Sequence, residues 1–393
     1  MPALAGSEIP RGGMMRRQFA VLFIVQTFFI QLVSGINYVT IPVLMSQQGN
    51  SNLWVGLAMS CEIIGVLLFH QRLNRLIQRV GLVWAALLLV VLRAALCASM
   101  AWQQYYPGWL ATILGYGVCT GMQLILLQTW LNQLPLRRRG LVMGLFSAAL
   151  SLGVALGPVM LQMLALSMPH RFFLTALLSL SALLLVWVAG ISPPTDEVAL
   201  VRFRFVCRHA RAILVSALVG GISFYGLPNF LMLYGISDGL GEARASLLMT
   251  MFMLGSVTLG MVVSLLSDWV NRQWIVVCCI FCSVVCAVFL ALAVYSDYGA
   301  TLCLLYVWGG CMGGIYSIGL SLLGDRFHPR QQMSANMSYT MMDSLGGIAG
   351  LIGIGFMMDR MGSEGMTLVL VVVGCAFLCY LVWELVEHQT PFQ

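Results

Sequence analysis

SPPTDEVALVRFRFVCRHAR, residues 192–211, is the longest stretch of the chain without a run of apolar residues that a bilayer would accept. It stands near the middle of the sequence, and both flanks are almost wholly apolar. Pro193 and Pro194 stop the helix before it, because proline has no N–H with which to continue one. Arg202, Arg204, Arg208 and Arg211 then follow as a dense positive run. The arrangement predicts two membrane bundles, residues 1–191 and 212–393, joined by a cytoplasmic connector over 192–211.

Composition agrees with that division. Of 393 residues 60% are hydrophobic and 9% charged, and the mean hydropathy is +0.92. These values exclude a soluble globular domain and indicate a polytopic membrane protein. All 20 basic residues are arginine, so the net charge of +6 rests on guanidinium groups that stay ionised at physiological pH. In such a chain a basic balance reports loop orientation rather than nucleic acid. The twelve cysteines lie mostly inside apolar runs, where a thiol behaves as a small hydrophobe. Arg11, Arg16 and Arg17 precede a long apolar run with no small-residue cleavage site after it, so the first span is expected to be retained.

Crossing a bilayer takes about 20 apolar residues. Runs of that kind stand near 19–41, 53–70, 81–100, 109–131, 141–166 and 171–190, and again near 212–234, 244–266, 273–294, 300–323, 333–357 and 365–385. The expectation is an all-α membrane protein of twelve transmembrane helices with both termini on one side. Arg72, Arg75, Arg79, Arg137, Arg138, Arg139, the central run, Arg272, Arg326 and Arg330 fall on the side of the termini; the other side offers Arg171, Arg244 and Arg360 beside five acids. The positive-inside rule therefore places both termini in the cytoplasm. Trp102, Tyr105, Tyr106, Trp109, Tyr295 and Tyr298 read as interfacial rings.

The halves echo one another. LNRLIQRVG after the second span corresponds to SLLSDWVNRQW after the eighth, and LPLRRRGLVMG after the fourth to FHPRQQMSANM after the tenth. Parallel repeats of this kind imply two six-helix bundles facing each other across an axis along the membrane normal, with a solute path between them.

With these residues in view the whole chain resembles a transporter of the major facilitator superfamily. That family carries a turn of the form Gly-x-x-x-Asp-Arg-x-Gly-Arg after its second helix. Here Asn74 replaces the glycine, Arg79 and Gly81 remain and the acid is absent; the second copy keeps Ser264, Asp268, Asn271 and Arg272. Gly153-x-x-x-Gly157-Pro158 resembles the family's exporter-associated Gly-Pro element without its following glycine pair, and Ile113 stands where the family has a fourth-helix arginine. The resemblance implies secondary transport by a monomer, with Arg79, Gly153, Gly157, Pro158, Asp268 and Arg272 as gating residues. Close packing of small residues, which lets helices approach, accounts equally well for the two glycines.

Ionisable residues at membrane depth are few: Glu62, Arg93 and Asp343. Burying a charge there costs about 2.5–3.5 kcal/mol on the gentlest scale. By the resemblance Glu62 and Asp343 flank one side of the cavity, where each could take up a proton when dry and release it when water arrives. They are the expected proton-coupling pair; the alternative is that each is tied to a buried partner, with Arg93 the candidate for Glu62. Arg93 itself is expected to form a structural ion pair.

Gln26, Gln31, Asn37, Gln123, Gln128, Tyr225, Asn229, Tyr316 and Ser317 sit on the helices that line the family's path, and Asn336 and Tyr339 on the eleventh. They form the expected substrate surface or, singly, hydrogen bonds between helices. A lone buried arginine offers no paired clamp for a strongly anionic solute.

Cys278, Cys279, Cys282 and Cys286 share a helix with no histidine nearby, so no metal site is expected. No lysine means no phosphate-binding lysine loop, and no catalytic cluster is visible, so neither a cofactor nor an enzyme is expected. The reading is a monomeric inner-membrane transporter in contact with lipid, not nucleic acid, that exchanges protons for a drug, an amphipathic metabolite or a siderophore-like solute in efflux. Uptake of a small polar solute is the alternative, and a non-transporting sensor or assembly protein the alternative of another class.

Overall fold

Lipid offers no partner for backbone N–H and C=O groups, so an apolar run must satisfy them within itself as a helix. The computed structural model describes residues 13–69, 82–133, 139–181, 183, 203–267, 269–293, 297–327 and 329–388, and among these there are helices and turns but no strand. The first six helices are α1 (Gly13–Gln47), α2 (Asn52–Phe69), α3 (Leu82–Ser99), α4 (Tyr106–Gln133), α5 (Arg139–Leu164) and α6 (Met168–Leu180). A short α7 (Phe203–His209) lies in the connector. Then follow α8 (Arg211–Ser237), α9 (Glu242–Leu266), α10 (Arg272–Ala293), α11 (Tyr298–Arg326), α12 (Pro329–Met361) and α13 (Glu364–His388). A helix therefore stands at each expected span position. Ten are long and apolar enough to cross a membrane, and α2 is a shorter apolar helix.

Glycine ends three of these helices. Gly49, Gly239 and Gly362 have φ of 84°, 85° and 70°, the left-handed conformation that closes a helix C-terminus cheaply only without a β-carbon. After α1 and α8 the chain folds back so that Asn50 N–H reaches Met45 O at 3.1 Å and Leu240 N–H reaches Gly235 O at 2.8 Å. Prolines lie inside α1 (Pro42), α5 (Pro158) and α8 (Pro228).

Contacts group the chain into two compact units. One comprises Met1–Asn37, Ile64–Gly157 and Leu164–Asp196; the other comprises Tyr38–Ile63, Pro158–Met163 and Glu197–Gln393. In the first, α1 meets α5 at backbone distance: a β-carbon on Gly157 would fall 2.6 Å from Gly35 C and Ile36 N. α2 meets α4 where a β-carbon on Gly65 would fall 2.5 Å from Leu114 O. α3 packs on α6, with Cys97 Sγ 3.9 Å from Ser179 Oγ.

The second unit repeats this pairing. α8 meets α12 through Gly221 against Asp343 O, Gly346 against Leu218 O, and Gly350, whose β-carbon would lie 2.6 Å from Ile222 O. α9 meets α11 through Gly313, 2.5 Å by the same measure from Ser256 O, and α10 packs on α13. First with fifth, second with fourth and third with sixth is thus the rule in each set of six, as a parallel repeat requires. In addition, α2 lies on α12, where a β-carbon on Gly355 would meet the carbonyl of Asn52.

Candidate functional site

Glu62 on α2 and Asp343 on α12 are 8% and 6% exposed. Beside them stands Tyr225 of α8, which lies close to the Asp343 carboxylate and feels the charge of both acids. Gly347, one turn beyond Asp343, makes room for it. A β-carbon there would lie 2.6 Å from Tyr225 Cδ2 and 2.9 Å from Cδ1 of Ile63, the neighbour of Glu62. Tyr38 of α1 donates to Glu62 Oε1 at 3.3 Å. Around Asp343 lie the rings of Tyr316 and Tyr339, edge to face at 5.6 Å, both within reach of its charge. Among the described residues no ion pair holds Asp343. Two carboxylates and four phenols are thereby gathered on α1, α2, α8, α11 and α12. A carboxylic acid donates and its anion only accepts, so such a cluster can change its hydrogen bonds when it gains or loses a proton.

A second acid acts at the end of α2. Asp359 of α12 accepts from the backbone N–H of Asn52 at 2.7 Å and of Leu53 at 2.9 Å. These are donors that the first turn of a helix leaves unsatisfied, at its positive end. Asp359→Ala is expected to lower the stability of the purified protein by about 1 kcal/mol, as loss of a helix cap does. Thermal unfolding in detergent checks this; an unchanged midpoint would mean that water serves these amides equally well.

Of the residues expected to meet substrate, Tyr225, Tyr316 and Tyr339 come together around Asp343. Asn229 lies one turn from Tyr225 and donates to its carbonyl at 2.8 Å. Asn336 is exposed on α12, where its carbonyl accepts from Thr340 at 3.1 Å. Gln26, Asn37 and Gln123 are buried in the first unit, Gln31 is half-buried where Gly153 packs on α1, and the side chain of Gln128 lies outside the described residues.

Among the expected gating residues, Gly153 and Gly157 are filled by the backbone of α1, and Pro158 is buried inside α5. Arg272 forms an ion pair with Asp325, while Arg79 and Asp268 lie outside the described residues. The ion pair expected for Arg93 is not formed with any described residue. Its guanidinium donates to Ile30 O at 2.7 Å, Gln123 Oε1 at 3.3 Å and Tyr116 Oη at 3.3 Å, and lies over the Tyr116 ring. All three acceptors are neutral and within its own unit, whereas Glu62 is held by Tyr38 in the other.

Sequence reasoning missed Tyr38, Asp325 and Asp359. Asp359 falls at the end of its span, where an acid reads as a solvated charge, and Tyr38 adjoins Asn37 in the first span.

Comparison with known proteins places this arrangement in context. The family model described as Major Facilitator Superfamily matches residues 23–351. A relative from Bacillus subtilis (strain 168), an uncharacterized MFS-type transporter, YfkF, is 23% identical over 337 residues, covering 83% of this chain and 85% of its own. Among solved structures, the nucleoside transporter NupG is similar at a TM-score of 0.74 and 13% identity, covering 94% of this chain and 99% of its own. The D-xylose-proton symporter matches at 0.75 and 12% identity, covering 97% and 99%.

Proposed function

The chain belongs to the Major Facilitator Superfamily, and we propose that it works there as a proton-coupled transporter of a small molecule across the cytoplasmic membrane, with Glu62 and Asp343 carrying the proton. One observation supports this above all: two buried carboxylates on different helices both lie within electrostatic reach of a single phenol, Tyr225. Ionisable groups at this depth are costly to keep, and a function is the usual reason that they are kept. Protonation of Asp343 removes the negative charge that Tyr225 and Tyr316 feel, which changes what their hydroxyls can offer a solute. Tyr316, which is exposed, supplies an apolar face with a polar edge beside Asp343, a surface suited to an amphipathic or uncharged polar solute. Both termini face the cytoplasm in this reading, as the arginine distribution favours.

Export of a drug-like or chelator-like solute in exchange for protons is the direction we propose, on the Gly153-to-Pro158 segment. Uptake is the second reading, and one observation favours it: Gly153 and Gly157 are accounted for by their contact with α1, with no gating role required. Mass spectrometry of medium and cell extract from matched strains, with and without the native chain, decides between them. A solute enriched outside only with the chain present is the expected result. Depletion outside with gain inside would reverse the direction, and purified chain that moves neither solute nor protons in proteoliposomes would remove the proposal.

A further inference from the structure

Arg93 is fully buried inside a membrane span, its guanidinium meets only neutral groups, and its Nε–H has no partner among the described residues. A buried charge without compensation costs several kcal/mol. The surrounding orphan atoms indicate what is missing. Ser34 Oγ of α1 and Tyr116 Oη of α4 are 2.9 Å apart. α1 and α4 run antiparallel, so stepping back along one and forward along the other brings Ile30 level with Thr120 and Gln26 level with Gln123. Further along the same seam Ala20, Phe23 and Ile30 of α1 share one buried cluster with Leu127 and Leu131 of α4 and Val90 of α3. Arg93 enters this layer from α3 at Ile30 O and Gln123 Oε1. Here Gln26 Nε2, Gln123 Nε2 and Thr120 Oγ1 are also without partners, on residues only 1%, 3% and 4% exposed.

The chemistry of these atoms is one-sided. Gln123 Oε1 already accepts from Arg93 and Gln26 Oε1 from Ser181 Oγ at 3.4 Å, which leaves the amide NH2 ends free. Three of the four unpartnered groups can therefore only donate, and the Thr120 hydroxyl can do so as well. Cys97 and Cys119, which feel the Arg93 charge, offer only thiols, weak acceptors. A water molecule accepts about two hydrogen bonds and brings two donors of its own, so it leaves both the surplus donors and the positive charge unanswered. An anion accepts from all four groups and cancels the charge.

We propose that the seam between α1, α3 and α4 is a binding site for a small monovalent anion of chloride's size, held by Arg93, Gln26, Thr120 and Gln123. The site lies within the first unit and is separate from the carboxylate cluster. It replaces the carboxylate partner that Arg93 lacks.

The test uses the purified full-length protein at constant ionic strength, with chloride or bromide titrated against gluconate. The thermal midpoint is expected to rise saturably with either halide, and Gln123→Leu to raise the half-saturating concentration about tenfold, the scale of one hydrogen bond to a charged group. A midpoint indifferent to the exchange of gluconate for halide, or a Gln123→Leu response equal to the native one, would overturn the site. Should that variant fail to fold, crystals of the native protein grown in bromide decide the matter. An anomalous peak within hydrogen-bond reach of Arg93 Nε supports the proposal, and its absence refutes it.

Discussion

Proteoliposomes carrying Glu62→Gln or Asp343→Asn are expected to lose pH-gradient-driven transport by about two orders of magnitude, the scale on which removal of a positioned proton carrier acts. Shape matters here as well as charge. An amide has nearly the volume of the carboxyl group it replaces, so Tyr38 can still donate to residue 62 and the packing around residue 343 is kept. What the amide cannot do is bind and release a proton. Solute exchange at equal pH on both faces should therefore survive in both variants, and this distinguishes lost coupling from a damaged fold. Full retention of gradient-driven transport in both would reduce the acids to anchors for two tyrosines.

Gly346→Leu should be among the most damaging single changes to stability. α8 and α12 touch through backbone at three levels, and at Gly346 a new β-carbon would run into the carbonyl of Leu218. Overpacking commonly costs about 1–3 kcal/mol when side chains can move aside. Here the obstacle is main chain on both helices, held by its own hydrogen bonds, and the expected loss lies at or above the top of that range. The same displacement would carry Asp343 away from Tyr225. Gly353→Leu is the control: it lies on the same helix, and a β-carbon there meets nothing within 4 Å. Thermal midpoints and monodispersity in detergent read both variants. Equal damage from the two would mean that crowding of α8 against α12 is not what Gly346 prevents.

Much of the architecture was legible because lipid imposes a single length scale on apolar runs. A helix stands at each predicted span position among the described residues, and the echo between LNRLIQRVG and SLLSDWVNRQW announced a repeat that the packing of α1 on α5 and of α8 on α12 carries out. Glu62 and Asp343 stood out for the opposite reason, as charges in the wrong solvent. That both lie within electrostatic reach of Tyr225 was not legible. Spacing along one helix gives the face of a residue but not which neighbour that face meets. Arg93 shows the same limit: its burial could be read from the apolar run around it, but the obvious partner was an acid and the actual one is the carbonyl of Ile30. Asp359 left no local signal at all, because the amides it caps belong to a helix far away in the chain.

The left-handed glycines at Gly49, Gly239 and Gly362 have a mechanical consequence. They close connections of four residues between α1 and α2, four between α8 and α9, and two between α12 and α13. Connections this short have almost no slack, so each pair of helices behaves as a stiff hairpin whose members cannot separate by extending the turn. Any rearrangement of these helices has to pivot whole hairpins. Turns this short have little conformational freedom to lose, so moving a hairpin as a body incurs little conformational entropy at that end.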